Sequence, residues 1–177
     1  MQSRDGFAAE IDAPIRYIER LRDYYEELGY GAPYRWAHYA EVPFQPLSKP
    51  LAACCVALIT TAAPYRPEAG DQGPGAPYNA RAKFYGVYSG DGGADHDLRI
   101  SHLAYDRTHT TAADANTWFP LAQLRRCAAA ARIGAVAARF HGMPTNRSQR
   151  VTIERDCPEL VVRCREDGAD AAVLVAN

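Results

Sequence analysis

The segment Cys54-Cys-Val-Ala-Leu-Ile-Thr60 is the stretch of sequence that decides the fold. It is short and continuously apolar up to its terminal threonine, a pattern typical of a strand that is buried on both faces, as in a parallel sheet. Similar short apolar segments predict three more strands, over Leu98–Leu103, Ala135–Phe140 and Ala171–Ala176. These four segments provide the strands of a parallel sheet.

Two helices are predicted between these strands. One begins at Pro120, a residue that suits the first turn of a helix, and ends near Gly134. The other covers Pro158–Asp167, with Asp156 as its cap and Gly168 as its stop. Strands that alternate with helices favour right-handed parallel crossovers. The sequence therefore predicts a three-layer α/β domain with a mainly parallel sheet, of the flavodoxin-like or Rossmann-like type.

The N-terminal part of the chain has a different pattern. Apolar residues at spacings of three and four predict an amphipathic helix over Ala13–Leu28. An irregular arm rich in proline and aromatic residues follows over Tyr30–Pro50 and contains Trp36 and Phe44. We expect these rings to be buried against the domain or against a second subunit, because exposed together they would form a large apolar patch.

The composition is that of an ordinary soluble globular protein. The chain has 177 residues, a net charge of -1, and apolar and charged fractions of 47% and 23%. One domain is expected over residues 51–177, preceded by the helix and arm of residues 1–50. The charge balance gives no strong basic field, so no nucleic-acid partner is expected. No segment resembles a membrane span or a signal peptide, so we expect no membrane partner and a cytoplasmic location.

The five cysteines do not form a redox or zinc motif. None of their spacings gives a C-x-x-C pair, and no local spacing of histidines or acidic residues is typical of zinc ligands. We interpret the cysteines as small buried apolar residues. The sequence predicts no metal site and no bound cofactor in this chain.

Polar residues follow each predicted strand, at the edge where open parallel sheets bind ligands. The first strand ends at Thr60-Thr61, the third at His141 and the fourth at Asn177. The second strand runs into His102, which is followed by Tyr105-Asp106. Because the carboxyl ends of parallel strands meet at one edge, we expect His102 and Asn177 to share a cleft.

Several of these side chains have both a chemical and a structural interpretation. His102 is either a general acid or substrate anchor, since histidine titrates near neutral pH, or a structural hydrogen-bonding residue. Asp106 either orients His102 or caps a turn, and His141 is either catalytic or structural. Arg147 either binds an anionic group of the substrate or lies solvated at the start of a helix.

Four blocks of the sequence resemble the selenoprotein B family. They are Ile100-Ser-His-Leu-Ala-Tyr-Asp106, Asp114-x-Asn116, Phe119-Pro-Leu-x-x-Leu-Arg125 and Arg132-Ile-Gly134. That family contains the substrate-specific components of glycine, sarcosine and betaine reductase and the small subunit of D-proline reductase. The similarity runs from Lys49 to Val175. It is interrupted at Lys83-Phe-Tyr-Gly-Val-Tyr88, where family members often carry an Asp-x-Ser-x-Arg block.

The resemblance implies a reductase component that acts on a small, amino-acid-like organic substrate. In the family a selenocysteine or cysteine directly follows the strand that resembles Ala171–Ala176, so the nucleophile is expected immediately after Asn177. A form of 177 residues that lacks this nucleophile is expected to be catalytically incomplete. The resemblance also implies a thioredoxin-like electron donor, and a homo-oligomer or a complex with companion subunits.

The same resemblance implies that His102, Tyr105, Asp106 and Asn116 shape the substrate pocket, with His102 as the proton donor. Together with the strand-end argument, it gives the following candidates. The candidate catalytic residues are His102, Asp106 and His141, and the candidate substrate-binding residues are Thr61, Tyr105, Asn116, Arg147 and Asn177. The alternative is a noncatalytic small-molecule-binding or assembly subunit on the same scaffold.

Overall fold

A computed structural model describes residues 16–31, 39–42, 44–64, 68, 77–79, 81–102, 105, 108–109, 112–145 and 148–177. The contacts of the chain divide it into two compact units, Met1–Pro43 and Phe44–Asn177. No helix within the described ranges is both long enough and apolar enough to cross a membrane.

The first unit contains the predicted amphipathic helix. Helix α1 covers Tyr17–Glu27 and is followed by Gly29, whose φ of +70° is the left-handed conformation that glycine adopts at helix ends. The helix is therefore confirmed over this range, and its predicted start near Ala13 lies outside the described residues. No residue of α1 is buried.

The arm predicted over Tyr30–Pro50 contains no helix or strand among its described residues. Phe44 is 86% exposed and Tyr39 is 68% exposed within the single chain. Burial of Phe44 against the domain is therefore wrong for the single chain, and its burial against a second subunit stays a prediction. Trp36 lies outside the described residues.

The described residues of the second unit form one five-stranded sheet and one two-stranded sheet. The strands are β1 (Cys55–Thr60), β2 (Ala63–Pro64), β3 (Tyr88–Asp91), β4 (Leu98–Arg99), β5 (Ala135–Val136), β6 (Arg139–Gly142) and β7 (Ala171–Val175). In the larger sheet β1 pairs in parallel with β5, β6 and β7. At the edge opposite β7, β3 pairs antiparallel with β6. The α/β class is confirmed, and the larger sheet is mixed.

The predicted strand at Ala135–Phe140 is divided into β5 and β6. Val136 of β5 lies opposite Val56, and His141 of β6 lies opposite Ile59. Four residues, 137–140, therefore lie opposite two residues, 57–58. The chain between β5 and β6 accordingly forms a bulge. The bulge lets both strands follow the same side of β1 while His141 keeps its place near the carboxyl end of that strand.

The segment predicted as a parallel strand over Leu98–Leu103 does not belong to the larger sheet. β4 pairs antiparallel with β2, with Arg99 opposite Ala63, so this prediction is wrong. The apolar residues Leu98 and Ile100 are buried beside the smaller sheet instead. Arg99 between them is also fully buried, and its guanidinium is paired with the carboxylate of Asp97. The apolar residues of this segment predict a strand, but they do not indicate that the arginine between them is buried beside a carboxylate.

The helices of the second unit are α2 (Leu121–Ala129), α3 (Gln149–Val151) and α4 (Cys157–Glu166), with short 3₁₀ turns at Leu51–Ala53 and Ala115–Thr117. Helix α2 begins directly after Pro120, as predicted. Helix α4 ends before Gly168, which has a φ of +67° and is the predicted stop.

The start of α4 differs from the prediction. A π-helical turn, Thr152–Asp156, connects α3 to α4, so the helical segment does not begin at Pro158. Proline has no N–H and its ring clashes with the carbonyl four residues earlier, which accounts for the wider turn. The side chain of Asp156 makes no cap hydrogen bond and is fully buried, so its predicted capping role is wrong.

The main core joins β1, β4, β6 and the segment before α2. Its buried members are Leu58, Ala62, Leu98, Ile100, Ala112, Trp118, Phe119, Leu121 and Phe140. The rings of Phe119 and Phe140 meet edge to face at 4.7 Å. Burial of each large side chain stabilises the fold by roughly 1.5–3 kcal/mol. This core fixes the smaller sheet and the Ala115–Thr117 turn beside the carboxyl end of β1.

Candidate functional site

The carboxyl end of β1 is held by Thr60. Its hydroxyl donates to the backbone carbonyl of Trp118 at 2.8 Å and accepts from the N–H of Ala62 at 3.1 Å. Thr60 is fully buried, so both hydrogen bonds are shielded from water. They hold the segment that follows the Ala115–Thr117 turn against the carboxyl edge of the larger sheet.

Thr61 and Asn177 are brought together, as predicted for the ends of the first and fourth strands. The Thr61 hydroxyl accepts from the backbone N–H of Asn177 at 2.8 Å and donates to its Oδ1 at 3.1 Å. The Thr61 N–H donates to the carbonyl of Val175 at 3.2 Å. Nδ2 of Asn177 is buried and has no hydrogen-bond partner within the described chain. The carboxyl edge of β1 and β7 therefore has a hydrogen-bonded backbone and one buried amide donor, Nδ2 of Asn177, that is unpaired among the described residues.

A pocket of about 160 Å³ adjoins this edge. The described residues that line it are Pro77, His96, Asp97, Leu98, Ala112, Ala113, Ala115, Trp118 and Phe119. Trp118 lines the pocket and also receives the Thr60 hydrogen bond, so the pocket lies next to the carboxyl end of β1. Its aromatic lining comes from Trp118 and Phe119, and the polar side chains His96 and Asp97 come from the segment before β4.

The charge of Asp97 at this pocket is matched by Arg99. Nη2 of Arg99 donates to Oδ2 of Asp97 at 3.1 Å, and Nη1 contacts Oδ1 of the same carboxylate. The Arg99 side chain is fully buried, while Asp97 remains about one-third exposed. A paired, bidentate carboxylate is a weak site for a free cation. The pocket thus combines an apolar and aromatic lining with a carboxylate whose charge is neutralised by Arg99.

His96 is a pocket residue that the sequence did not indicate. Its Nε2 lies 2.8 Å from the carbonyl of Asp91, and its ring meets Phe140 at 4.8 Å and Phe119 at 6.2 Å. No local motif contains His96, and only the tertiary packing of β3, β4 and β6 brings it to the pocket wall. Sequence spacing provides no signal for such a residue.

His141 lies in a buried polar cluster on the opposite face of the sheet from Leu58. Its Nδ1 is 2.9 Å from Oγ of Ser89, and its Nε2 is 3.1 Å from Oδ2 of Asp167. Arg163 of α4 donates to the same Ser89 hydroxyl at 2.6 Å. Burial lowers the pKa of His141, and this effect exceeds the opposing influence of the Asp167 carboxylate. The neutral ring thus connects β3 and β6 to α4.

His102 and Tyr105 follow β4, and the correction to β4 changes the argument for them. His102 is exposed and follows an antiparallel strand, so the parallel-strand argument no longer brings it toward Asn177. The half-buried ring of Tyr105 lies 5.7 Å from the ring of Tyr78 and packs against the main core. Their roles at the site stay predictions.

Asn116 has local partners on both sides of its amide. Its Oδ1 accepts from the N–H of Gln123 at 3.2 Å, and its Nδ2 donates to Oδ1 of Asp114 at 2.7 Å. It therefore secures the first turn of α2 close to the pocket. The candidates Asp106 and Arg147 lie outside the described residues.

All five cysteines are free thiols. Cys54 is fully buried, and its Sγ lies 3.4 Å from the carbonyl of Pro50. Burial, assisted by nearby carboxylates, raises the pKa of both Cys55 and Cys164. A raised pKa leaves less thiolate, so these two thiols are poor nucleophiles at neutral pH.

The residues that the structure describes contain no group of three or more histidine, cysteine, aspartate or glutamate side chains arranged to hold a metal ion. No protein-family model, curated protein or solved structure matches the chain.

Proposed function

We propose that this chain is the substrate-specific component of a selenoprotein B-like reductase. It reductively cleaves a small, amino-acid-like substrate through a cysteine or selenocysteine directly after Asn177. The observation that carries the proposal is the set of hydrogen bonds between Thr61 and Asn177 at the carboxyl ends of β1 and β7. Open α/β sheets bind their ligands at this edge.

The fixed backbone of Asn177 supports this position for the nucleophile. Consecutive Cα atoms are about 3.8 Å apart, so the next residue would be held beside Thr61. A fixed position is important for a nucleophile, because misplacing a reacting atom by about 1 Å can cost roughly 10²-fold in rate.

The pocket beside Trp118 supports a small substrate. Pockets for drug-sized ligands usually enclose about 300–1,000 Å³, whereas this one encloses about 160 Å³. That volume suits a molecule of amino-acid size. The hydrogen bond from Thr60 to Trp118 ties the wall of this pocket to the sheet edge at which the nucleophile would be held.

We assign the proton-donor role to His102, with Tyr105, Asp106 and Asn116 shaping the site. Support for this part comes from sequence proximity to the pocket: His102 follows β4, and Leu98 of β4 lines the pocket. On this proposal the domain is a three-layer, flavodoxin-like or Rossmann-like unit, and Arg147 binds an anionic group of the substrate.

The electrons would come from a thioredoxin-like donor, whose dithiol is oxidised to a disulfide as the substrate is reduced. The five free cysteines fit a reducing, cytoplasmic compartment. The raised pKa values of Cys55 and Cys164 argue against either of them as the nucleophile. The protein would act as a homo-oligomer or with companion subunits.

Expression of the gene through the codons that follow Asn177 tests the proposal. The product is labelled briefly with iodoacetamide, digested and examined by mass spectrometry, and it is assayed with glycine, sarcosine, betaine and D-proline and a dithiol reductant. We expect selective alkylation at the residue after Asn177 and turnover of at least one substrate. Turnover should fall at least tenfold in Thr61→Val, which removes the anchoring hydroxyl, and less in Thr61→Ser, which keeps it.

A residue other than cysteine or selenocysteine at that position contradicts the proposal. So does rapid labelling of a native cysteine that abolishes activity, because the reactive thiol would then lie elsewhere.

The alternative function is a noncatalytic small-molecule-binding or assembly subunit. One observation favours it: the described residues that line the pocket, among them Trp118, already enclose a cavity of about 160 Å³, which can hold a small molecule without a nucleophile beside it. A stop codon other than UGA directly after Asn177, together with ligand binding by the 177-residue chain, would support this function.

A further inference from the structure

No strand among the described residues pairs with the outer edge of β7. Within the described residues β7 pairs only with β1, and it is the last strand on that side of the larger sheet. The segment Ala172-Val-Leu-Val-Ala176 contains no charged residue and no proline. Natural proteins usually protect exposed edges with such residues, because an unprotected edge pairs with other strands.

The backbone of β7 presents alternate residues to this open edge. The carbonyl of Val175 accepts from the N–H of Thr61, so the polar groups of Val175 face β1. Backbone groups of successive residues in a strand point to opposite sides. The N–H and C=O groups of Ala172 and Leu174 therefore point outward, where β7 has no neighbouring strand in the described structure.

Apolar side chains are exposed on both faces of β7. Leu174 is 63% exposed and lies opposite Ile59, on the face that carries His141 and α4. Val173 is 38% exposed and lies opposite Leu58, on the face of the main core. The edge thus combines unpaired backbone groups with apolar side chains above and below the sheet.

We propose that β7 pairs antiparallel with β7 of a second copy of this chain, about a two-fold axis at Leu174. The segment Ala172–Ala176 reads identically in both directions, with Leu174 at its centre. Antiparallel pairing about that residue places leucine opposite leucine, valine opposite valine and alanine opposite alanine. A surface that matches itself is what a two-fold dimer requires.

The backbone and the charges agree with this pairing. The outward N–H and C=O groups of Leu174 in the two copies would bond each other, and those of Ala172 would bond the Ala176 of the second copy. No like charges meet, because the paired segment is uncharged. The nearest acidic residue of the strand, Asp170, lies beyond it and is already bound to Lys49 at 2.7 Å. The dimer does not depend on the proposed reductase function.

Two cysteine variants test the register of the dimer. In the proposed pairing the two Leu174 Cα atoms lie about 5.5 Å apart, which is within the range that a disulfide spans. The two Ala172 positions lie about 14 Å apart, four residues at about 3.4 Å each. Under mild oxidation we expect Leu174→Cys to form a covalent dimer, and Ala172→Cys and the wild-type chain to remain uncrosslinked.

The mass of the chain in solution provides the second measurement. We expect light scattering to give about twice the chain mass of 19.4 kDa at micromolar concentration. Leu174→Lys should weaken dimerisation at least tenfold, while Val162→Lys, at an exposed valine on α4, should leave it unchanged. Circular dichroism checks that both variants fold.

Three results would overturn the proposal. They are a monomeric wild-type chain, a dimer that Leu174→Lys leaves intact, and crosslinking of Ala172→Cys as readily as Leu174→Cys. A monomer whose β7 amides are nevertheless protected from hydrogen exchange would show that another segment covers the edge.

Discussion

Nε2 of His141 lies 3.1 Å from Oδ2 of Asp167, and both side chains are almost completely buried between β6 and the end of α4. The two atoms are in contact but are not aligned as a hydrogen bond. The other oxygen of Asp167 accepts from Arg139 at 2.8 Å, and the other ring nitrogen of His141 is beside Ser89. This contact joins the sheet to the end of the helix that leads into β7.

We predict that the free energy of unfolding decreases as the pH falls below about 6.5. Burial lowers the pKa of His141 in the folded protein, whereas the unfolded chain has an ordinary histidine pKa of about 6.5. The unfolded state therefore binds the proton more readily, so the stabilisation is complete above the unfolded pKa and is lost as the pH falls below it. Urea unfolding at pH 7.5, 6.5 and 5.5 measures the trend.

The variant His141→Gln should flatten this pH dependence and lose about 1–3 kcal/mol at pH 7.5, because buried partners are left unsatisfied. His109→Gln, at an exposed histidine, is the matched control and should stay within about 0.5 kcal/mol of wild type. If the His141 variant keeps the full pH dependence, another group is responsible for it.

A second prediction concerns the hydrogen bonds of Thr61. Thr61→Val removes the hydroxyl that accepts from the Asn177 N–H and donates to its Oδ1, so we expect a loss of about 1–3 kcal/mol. Hydrogen exchange of the Asn177 amide should become much faster in this variant. Thr61→Ser retains the hydroxyl and should keep most of the protection. Equal exchange in both variants would mean that the hydroxyl does not hold this end of β7.

The sequence was sufficient for the elements whose pattern is local. The apolar run before Thr60 predicted β1, and the glycine after α4 predicted the end of that helix. Strand-end reasoning also placed Thr61 and Asn177 at the same edge of the sheet, because parallel strands end on one side, and β1 and β7 are indeed parallel neighbours. Each of these features depends on periodicity or on the geometry of parallel strands.

Features that depend on tertiary pairing could not be predicted in this way. The sequence predicts a buried parallel strand over Leu98–Leu103, but the strand observed there, Leu98–Arg99, pairs antiparallel with β2, and the buried Arg99 is paired with Asp97. The place of His96 on the pocket wall follows from aromatic packing between distant segments. Neither contact leaves a period or a motif in the sequence.

Thiol reactivity gives a third prediction. Iodoacetamide reacts with the thiolate, and burial raises the pKa of Cys55 and Cys164, so both should be alkylated far more slowly in the folded chain at pH 7.5 than in urea. Mass spectrometry of timed digests measures each site in one experiment. Labelling of either residue at the same rate in both conditions would show that the fold does not suppress its ionisation or access.

The last prediction concerns Gly142, at the carboxyl end of β6. A Cβ atom at this position would lie 1.7 Å from Cε1 of Tyr88, a distance that real atoms do not tolerate. The Tyr88 ring cannot move away easily, because its hydroxyl donates to the carbonyl of Ala62 at 2.6 Å and its ring packs against Phe84 and Phe140. Gly142→Ala should therefore lose roughly 1–3 kcal/mol or more, as overpacked cores do.

Gly86→Ala is the matched control, since nothing lies within 4 Å of a Cβ at that glycine. Its free energy of unfolding should stay within about 0.5 kcal/mol of wild type. The double variant Gly142→Ala, Tyr88→Leu replaces the obstructing ring, so its loss should be smaller than the sum of the two single losses. Urea unfolding of Gly142→Ala, Tyr88→Leu, the double variant and Gly86→Ala at pH 7.5 measures this coupling. If the losses of the two single variants simply add, Tyr88 is not the residue that requires glycine at position 142.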